Sequence, residues 1–254
     1  MEQLVSFYND HGEKLAGTLH LPDEPTVYGV VFGHCFTCSR HTGILRHICH
    51  RLVEEGFMAL RFDFSGNGQS EGKFAESTYS KQISDMKTAT AFISGKGASW
   101  IGLAGHSMGA VIALITGAQM NSTKAVCALA GRFSGLSSTH FLSQNQRKKL
   151  QKTGRVLFSS RGRSLVLSDG LFTDGKQYNL PKIVASLHTP LLIVHGDSDE
   201  IVPVKEAYRT QELNSEDTRL AIIPGADHMF SRPEHYHQVS SLVVDWFKEQ
   251  RLKH

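Results

Sequence analysis

The 254-residue sequence predicts an α/β protein built on a mostly parallel, twisted sheet with helices on both faces and a small lid inserted late in the chain. Two observations carry this. Short unbroken apolar runs, the signature of strands buried on both faces, alternate with stretches of helical periodicity. One of the runs then passes through Gly105-His106-Ser107-Met108-Gly109 directly into a second apolar stretch, a strand–turn–helix with a serine at the turn.

Taken in order, Leu4–Tyr8 and Lys14–Leu21 flank Asn9-Asp10-His11-Gly12 and read as an opening hairpin. Val27–Phe32 is the first buried strand. After the loop Gly33–His41, a helix from Thr42 to Glu55 places Leu45, Ile48, Cys49 and Leu52 on one side and stops at Gly56. Phe57–Phe62 is the next strand, followed by the glycine-rich loop Asp63–Gly72. Tyr79–Ile93 has helical spacing, and Trp100–Ala104 leads into the serine turn and its helix. Ala125–Ala130 is a further strand. The alternation then stops. From 131 to 187 the chain is polar and basic, with a helix expected over His140–Lys152 and a hairpin over Phe158–Leu167; an insertion of this size is expected to be a lid. The alternation resumes with the strand Leu191–His195, the helix Lys205–Leu213, the strand Arg219–Ile223 and the amphipathic helix His235–Lys248. Length and rhythm fit one domain over 1–254 with the lid inside it.

Composition narrows the functional class. The net charge of +3 gives no reason to expect a nucleic-acid partner, and Arg147-Lys148-Lys149 with Lys152 and Arg155 reads as a solvated helix face. No apolar run reaches the ~18 residues of a membrane span. Met1-Glu2-Gln3 is acidic with no apolar core behind it, so a cytoplasmic location is expected. Cys35 and Cys38 have C-x-x-C spacing, which keeps a redox protein among the alternatives, but they lack a second such pair. With Cys49 and Cys127 they are expected to be four free thiols, and no metal site is expected.

A hydroxyl at the tip of a strand–helix turn stands above the sheet at the positive end of a helix. It becomes a nucleophile when a base takes its proton and a third group orients that base. Among fourteen histidines, His228 stands out because it follows the last strand in Pro224-Gly225-Ala226-Asp227-His228; His235 and His237 read as surface residues. For the third group, the loop after Leu191–His195 offers Asp197, Asp199 and Glu200.

With these residues the chain resembles an α/β-hydrolase over about residues 4–250. Asp63–Gly72 resembles that superfamily's D-x-x-G-x-G-x-S loop, and the order serine, acid, histidine is the same. The family's H-G-x-x-D-x-x-V-P pattern falls on Asp199 rather than Asp197, and its G-x-x-H on His228. Where relatives read His-Gly-Phe, this chain has His34-Cys35-Phe36. The resemblance therefore implies an oxyanion hole from the N–H groups of Phe36 and Met108, with Cys35 a departure that narrows the turn's backbone freedom. Within the superfamily the chain is most similar to small-lid carboxylesterases of the feruloyl type. It also resembles hydrolases fused to OsmC-type domains, which share His34–Ser39 and Arg61–Phe64; no such second domain is expected here.

The resemblance implies a serine carboxylic ester hydrolase with Ser107 as nucleophile, His228 as base and Asp199 as its orienting acid. It would work through an acyl-enzyme on small to medium acyl or aromatic esters, without cofactor or metal. Thioesterase or peptidase chemistry on the same residues, and a non-catalytic binding protein of this fold, are the alternatives. Phe141, Phe158, Leu165, Leu167, Phe172 and Tyr178 either close a pocket or form the lid's own core, and Gln144 or Gln146 would meet a phenolic hydroxyl. Oligomeric state is left open, with a homodimer among the options.

Overall fold

The computed structural model describes residues 1–136, 139 and 141–253. Eight strands form the main sheet: β1 (Glu2–Tyr8), β2 (Lys14–His20), β3 (Tyr28–Gly33), β4 (Met58–Phe62), β5 (Trp100–His106), β6 (Thr123–Leu129), β9 (Leu191–Gly196) and β10 (Thr218–Ile223). Their order is β1-β2-β4-β3-β5-β6-β9-β10. The opening hairpin pairs antiparallel with itself and with β4, and the other pairings are parallel.

The continuous apolar runs have the physical cause anticipated. Along β3, Val31 faces one core while Val30 and Phe32 face the other; along β9, Leu191 and Ile193 oppose Leu192 and Val194. The first core is covered by α2 (Tyr79–Gly95), α3 (Met108–Gln119), α6 (Leu180–Ala185) and α7 (Lys205–Leu213). The second is covered by α1 (Gly43–Glu54) and α8 (Pro233–Arg251). With helices on both faces, an apolar side chain at every position along a strand is buried.

Between β6 and β9 lie α4 (Gln144–Thr153), a two-stranded hairpin of β7 (Arg155–Ser160) and β8 (Arg163–Ser168), α5 (Gly170–Gly175) and α6. The sequence supplied the helix and the hairpin, although His140, the expected helix start, lies outside the described residues. It did not supply α5 and α6, which are six residues each and too short for a periodic signal. Leu142, Leu150, Val156, Leu167 and Leu171 form a small core of their own with Phe74. The Arg147–Arg155 basic residues are exposed.

Two expectations are corrected. Cys35 and Cys38 are joined in a disulfide, leaving only Cys49 and Cys127 as free, buried thiols. The tight turn in which Cys38 N–H donates to Cys35 O at 3.0 Å brings the two Cα atoms to 5.2 Å, inside bridging range. His235 is buried, because α8 begins earlier than its apolar pattern suggests and turns the ring inward; His237 is exposed. Among the described residues no helix is long and apolar enough to cross a membrane.

Candidate active site

Ser107 joins β5 to α3 with φ 55° and ψ −113°, a backbone conformation that a residue with a Cβ adopts only at a cost. Two glycines make the turn possible. A Cβ on Gly105 would be driven into the carbonyl of Gly109, and one on Gly109 into the carbonyl of Gly33 at the end of β3. Close approach of strand to helix, more than freedom of φ, is what fixes glycine at both positions. Ser107 N–H donates to Leu129 O at 2.8 Å, tying the turn to the end of β6. Met108 is the first residue of α3, so its N–H has no partner within the helix.

The loop after β10 carries His228, whose Nδ1 lies 2.7 Å from Asp199 Oδ2; the ring N–H donates to the carboxylate. The Asp199 side chain is itself fixed, since Oδ1 accepts the N–H groups of Ile201 at 2.9 Å and Val202 at 2.8 Å. His195 Nε2, which donates to Val202 O, lies 3.3 Å from Oδ2. Burial opposes the charged form of Asp199, but the hydrogen bonds from His195 and His228 outweigh it and hold the carboxyl well below the ordinary range. Asp197 points elsewhere: it is exposed, and Oδ1 accepts the N–H of Gly225 at 2.7 Å. The geometry therefore brings Asp199 to His228 and leaves Asp197 bracing the turn before it.

A residue that sequence reasoning passed over lies beside the serine. His106 is fully buried and its Nε2–H donates to the main-chain carbonyl of His228 at 2.7 Å. Burial, reinforced by the neighbouring His228, pushes its pKa down to about 3, so the ring is neutral and holds the His228 loop as a hydrogen-bond donor. The variable second position of a G-x-S-x-G motif gives no signal of this role.

The loop after β3 is fixed by His34, which is buried and neutral. Its Nδ1–H donates to Cys35 O at 2.7 Å, and its Nε2 accepts Phe64 N–H at 3.1 Å. Asp63 accepts from the main chain and guanidinium of Arg40 and from Gln69 N–H, so the D-x-x-G-x-G loop anchors the far side of this turn. Phe36 thereby faces the same cavity as Ser107 and Met108.

That cavity has a volume of about 370 Å³. Phe36, Phe141, Phe158 and Phe172 line it, so three of the lid aromatics face the pocket; Phe158 and Phe172 also join Leu167 in the lid's own core, so the two expected roles are not exclusive. Neither Gln144 nor Gln146 lines it. Gln146 is occupied in a capping box with Ser143, and its amide donates to Leu157 O at 2.9 Å.

Comparisons agree with this architecture. Residues 30–180 match the family described as serine aminopeptidase, S33. A monoacylglycerol lipase of Mycolicibacterium smegmatis is 25% identical over 94% of this chain and 93% of its own length. Est1E from Butyrivibrio proteoclasticus, solved with ferulic acid bound, has the same fold, with a TM-score of 0.83, 24% identity and coverage of 98% of this chain and 99% of that one. The esterase domain of a Rhodothermus marinus protein gives a TM-score of 0.75 at 25% identity, covering 99% of this chain and 98% of that domain. On the fold and the match over residues 30–180, the chain belongs to the serine aminopeptidase S33 family and is an α/β-hydrolase.

Proposed function

We propose that this protein hydrolyses carboxylic esters of small to medium acyl or aromatic acids through an acyl-enzyme on Ser107. One observation carries the reading: a serine held at positive φ on a strand–helix turn shares its cavity wall with Met108, the first residue of α3, and with Phe36 in the loop after β3, while His228 Nδ1 lies 2.7 Å from Asp199. In this reading His228, its proton fixed on Nδ1 by Asp199, presents a bare Nε2 that takes the Ser107 proton as Oγ attacks the carbonyl. The oxyanion then lies between the N–H groups of Met108 and Phe36. His228 returns its proton to the leaving oxygen, and the alcohol departs. Water, deprotonated by the same ring, cleaves the acyl-enzyme and restores Ser107. The loop aromatics supply an apolar wall for the acyl group.

Lining chemistry favours esters over the peptides named in the family's description. An aminopeptidase has to hold a free α-ammonium, and among the described residues the cavity is lined by no carboxylate; its one charged lining residue is Arg132. A fluorophosphonate probe mapped by mass spectrometry, with p-nitrophenyl esters and aminoacyl p-nitroanilides assayed in parallel, tests the reading. Labelling at Ser107 with ester turnover lost in Ser107→Ala is expected. An unlabelled, folded protein, or anilides cleaved faster than esters, would overturn it.

A further inference from the structure

A second cavity of about 400 Å³ lies on the other side of the Phe36 loop, and its chemistry is opposite to that of the apolar one. Thr37 lines both. The roof is the tip of the β7–β8 hairpin, where Arg161 and Arg163 face the loop; Met229, the residue after His228, closes one wall. No carboxylate lines this chamber among the described residues. The nearest acid in the wall, Asp63 behind Gly68, is already neutralised by Arg40. Among the described residues both hairpin guanidiniums bond only to neutral atoms. Arg161 reaches Met229 Sδ at 3.3 Å and Cys35 Sγ at 3.9 Å, and Arg163 donates to the carbonyl of Thr37.

The turn itself is informative. Ser160 pairs with Arg163, so Arg161 and Gly162 are the two central residues, with φ 51° and 72°. A two-residue turn with both φ positive favours Asn-Gly, and a long side chain at the first position is held there against its backbone preference. The outlier aims a guanidinium at the chamber. Met229 directly follows His228, so one wall of the chamber belongs to the loop that carries the proposed general acid. The charge of Arg161 is close enough to His106 to disfavour that ring's protonation.

We infer that Arg161 and Arg163 form an anion subsite for the alcohol half of the substrate, so that the preferred esters carry a carboxylate or a phosphate on the leaving group. This rests on the esterase reading above, with the apolar cavity taking the acyl group. Planar guanidiniums with unengaged N–H groups suit either oxyanion.

Matched pairs test it: butyryloxybenzoate against its methyl ester, and butyrylglycerol phosphate against butyrylglycerol. The wild type should favour the anionic member by roughly tenfold or more in kcat/KM, the size of a charge-assisted hydrogen bond. Arg161→Asn, which suits the turn and so preserves the hairpin, should reduce that ratio, and Arg161→Asn with Arg163→Gln should abolish it. The readout is the ratio, so a rate change common to both esters does not affect it. Equal rates on both members, or a preference that survives the double variant, would overturn the inference. Calorimetry with inorganic phosphate and with benzoate on the Ser107→Ala protein reads the subsite without turnover. Binding that disappears in the double variant supports it and shows which oxyanion is preferred, and absence of both heats overturns it. An unreactive Ser107 with anion binding intact would instead sink the esterase reading alone.

Discussion

Asp199→Asn is the substitution whose outcome the structure constrains most closely. Oδ1 accepts two main-chain N–H groups, from Ile201 and Val202, and Oδ2 faces His228 Nδ1 at 2.7 Å. An asparagine keeps those main-chain bonds only if its oxygen takes the Oδ1 place, which turns its NH₂ toward His228. Two donors cannot face each other, so the ring must move its proton to Nε2, the nitrogen that has to be bare to activate Ser107. A loss of about 10⁴ in kcat is expected, the size associated with such a tautomer inversion at unchanged geometry. That equals about 5.4 kcal/mol of barrier. KM should change little, because Asp199 does not line the cavity. The charge-assisted bonds also support the fold. Losing one costs about 1.5–3 kcal/mol, or a fall in Tm of about 3–12 °C for a chain of this size. The assay is p-nitrophenyl butyrate hydrolysis with active-site titration, alongside thermal melts, with Asp197→Asn as the contrast. Asp197→Asn should stay near wild type. Activity of Asp199→Asn within tenfold of wild type, or the larger loss falling on Asp197→Asn, would refute the reasoning.

Three further outcomes are expected. Ser107→Gly should abolish turnover while raising Tm, because it removes roughly 1–3 kcal/mol of backbone strain at a cost of about 0.5–1 kcal/mol in chain entropy; an unchanged or lower Tm would show the turn to be unstrained. Reducing the Cys35–Cys38 bridge should lower Tm without abolishing activity, since His34 also holds the turn. The four-residue loop predicts a loss of about 2 kcal/mol, and loss of turnover at constant stability would contradict this. Urea midpoints should fall between pH 7 and 5. Burial pushes His106 down to about 3 and His20 down to about 4, and it lowers His34. These rings stay neutral when folded and bind protons when unfolded below about pH 6.5. Stability is therefore fully present above that pH and declines by up to about 1.4 kcal/mol per pH unit for each ring as pH drops toward the folded value. Midpoints that are flat across that range would argue against neutral burial.

The parts of this molecule legible in the sequence are those whose cause is local. Strands such as Val27–Phe32 announced themselves because burial on both faces leaves no polar position, and Gly105 and Gly109 because strand and helix approach too closely for a Cβ. The ends of β9 and β10 brought Asp199 and His228 together because both lie at the carboxyl edge of one parallel sheet. What stayed hidden depends on long-range packing. Nothing local marks His106 as the donor to a carbonyl 122 residues away, nor says that Cys35 and Cys38 would bridge. Phe158 and Leu167 have similar local patterns and both join the lid core, and only the folded hairpin also gives Phe158 a face on the cavity. Nothing local singles out Arg161, whose positive φ is set by the folded hairpin.

The bond from His106 to the His228 carbonyl has a consequence for how the fold tolerates change. Ser107 and His228, the proposed nucleophile and its proton acceptor, lie far apart in the chain, and His106 directly beside Ser107 grips the main chain of His228. The bond gives the main chain of His228 an anchor on β5 that is independent of the four-residue turn leading to it from β10. Circular permutants opened at Pro224–Gly225, which is exposed, have this anchor to hold the ring in place, whereas cuts between His106 and Ser107 would separate the grip from what it aligns.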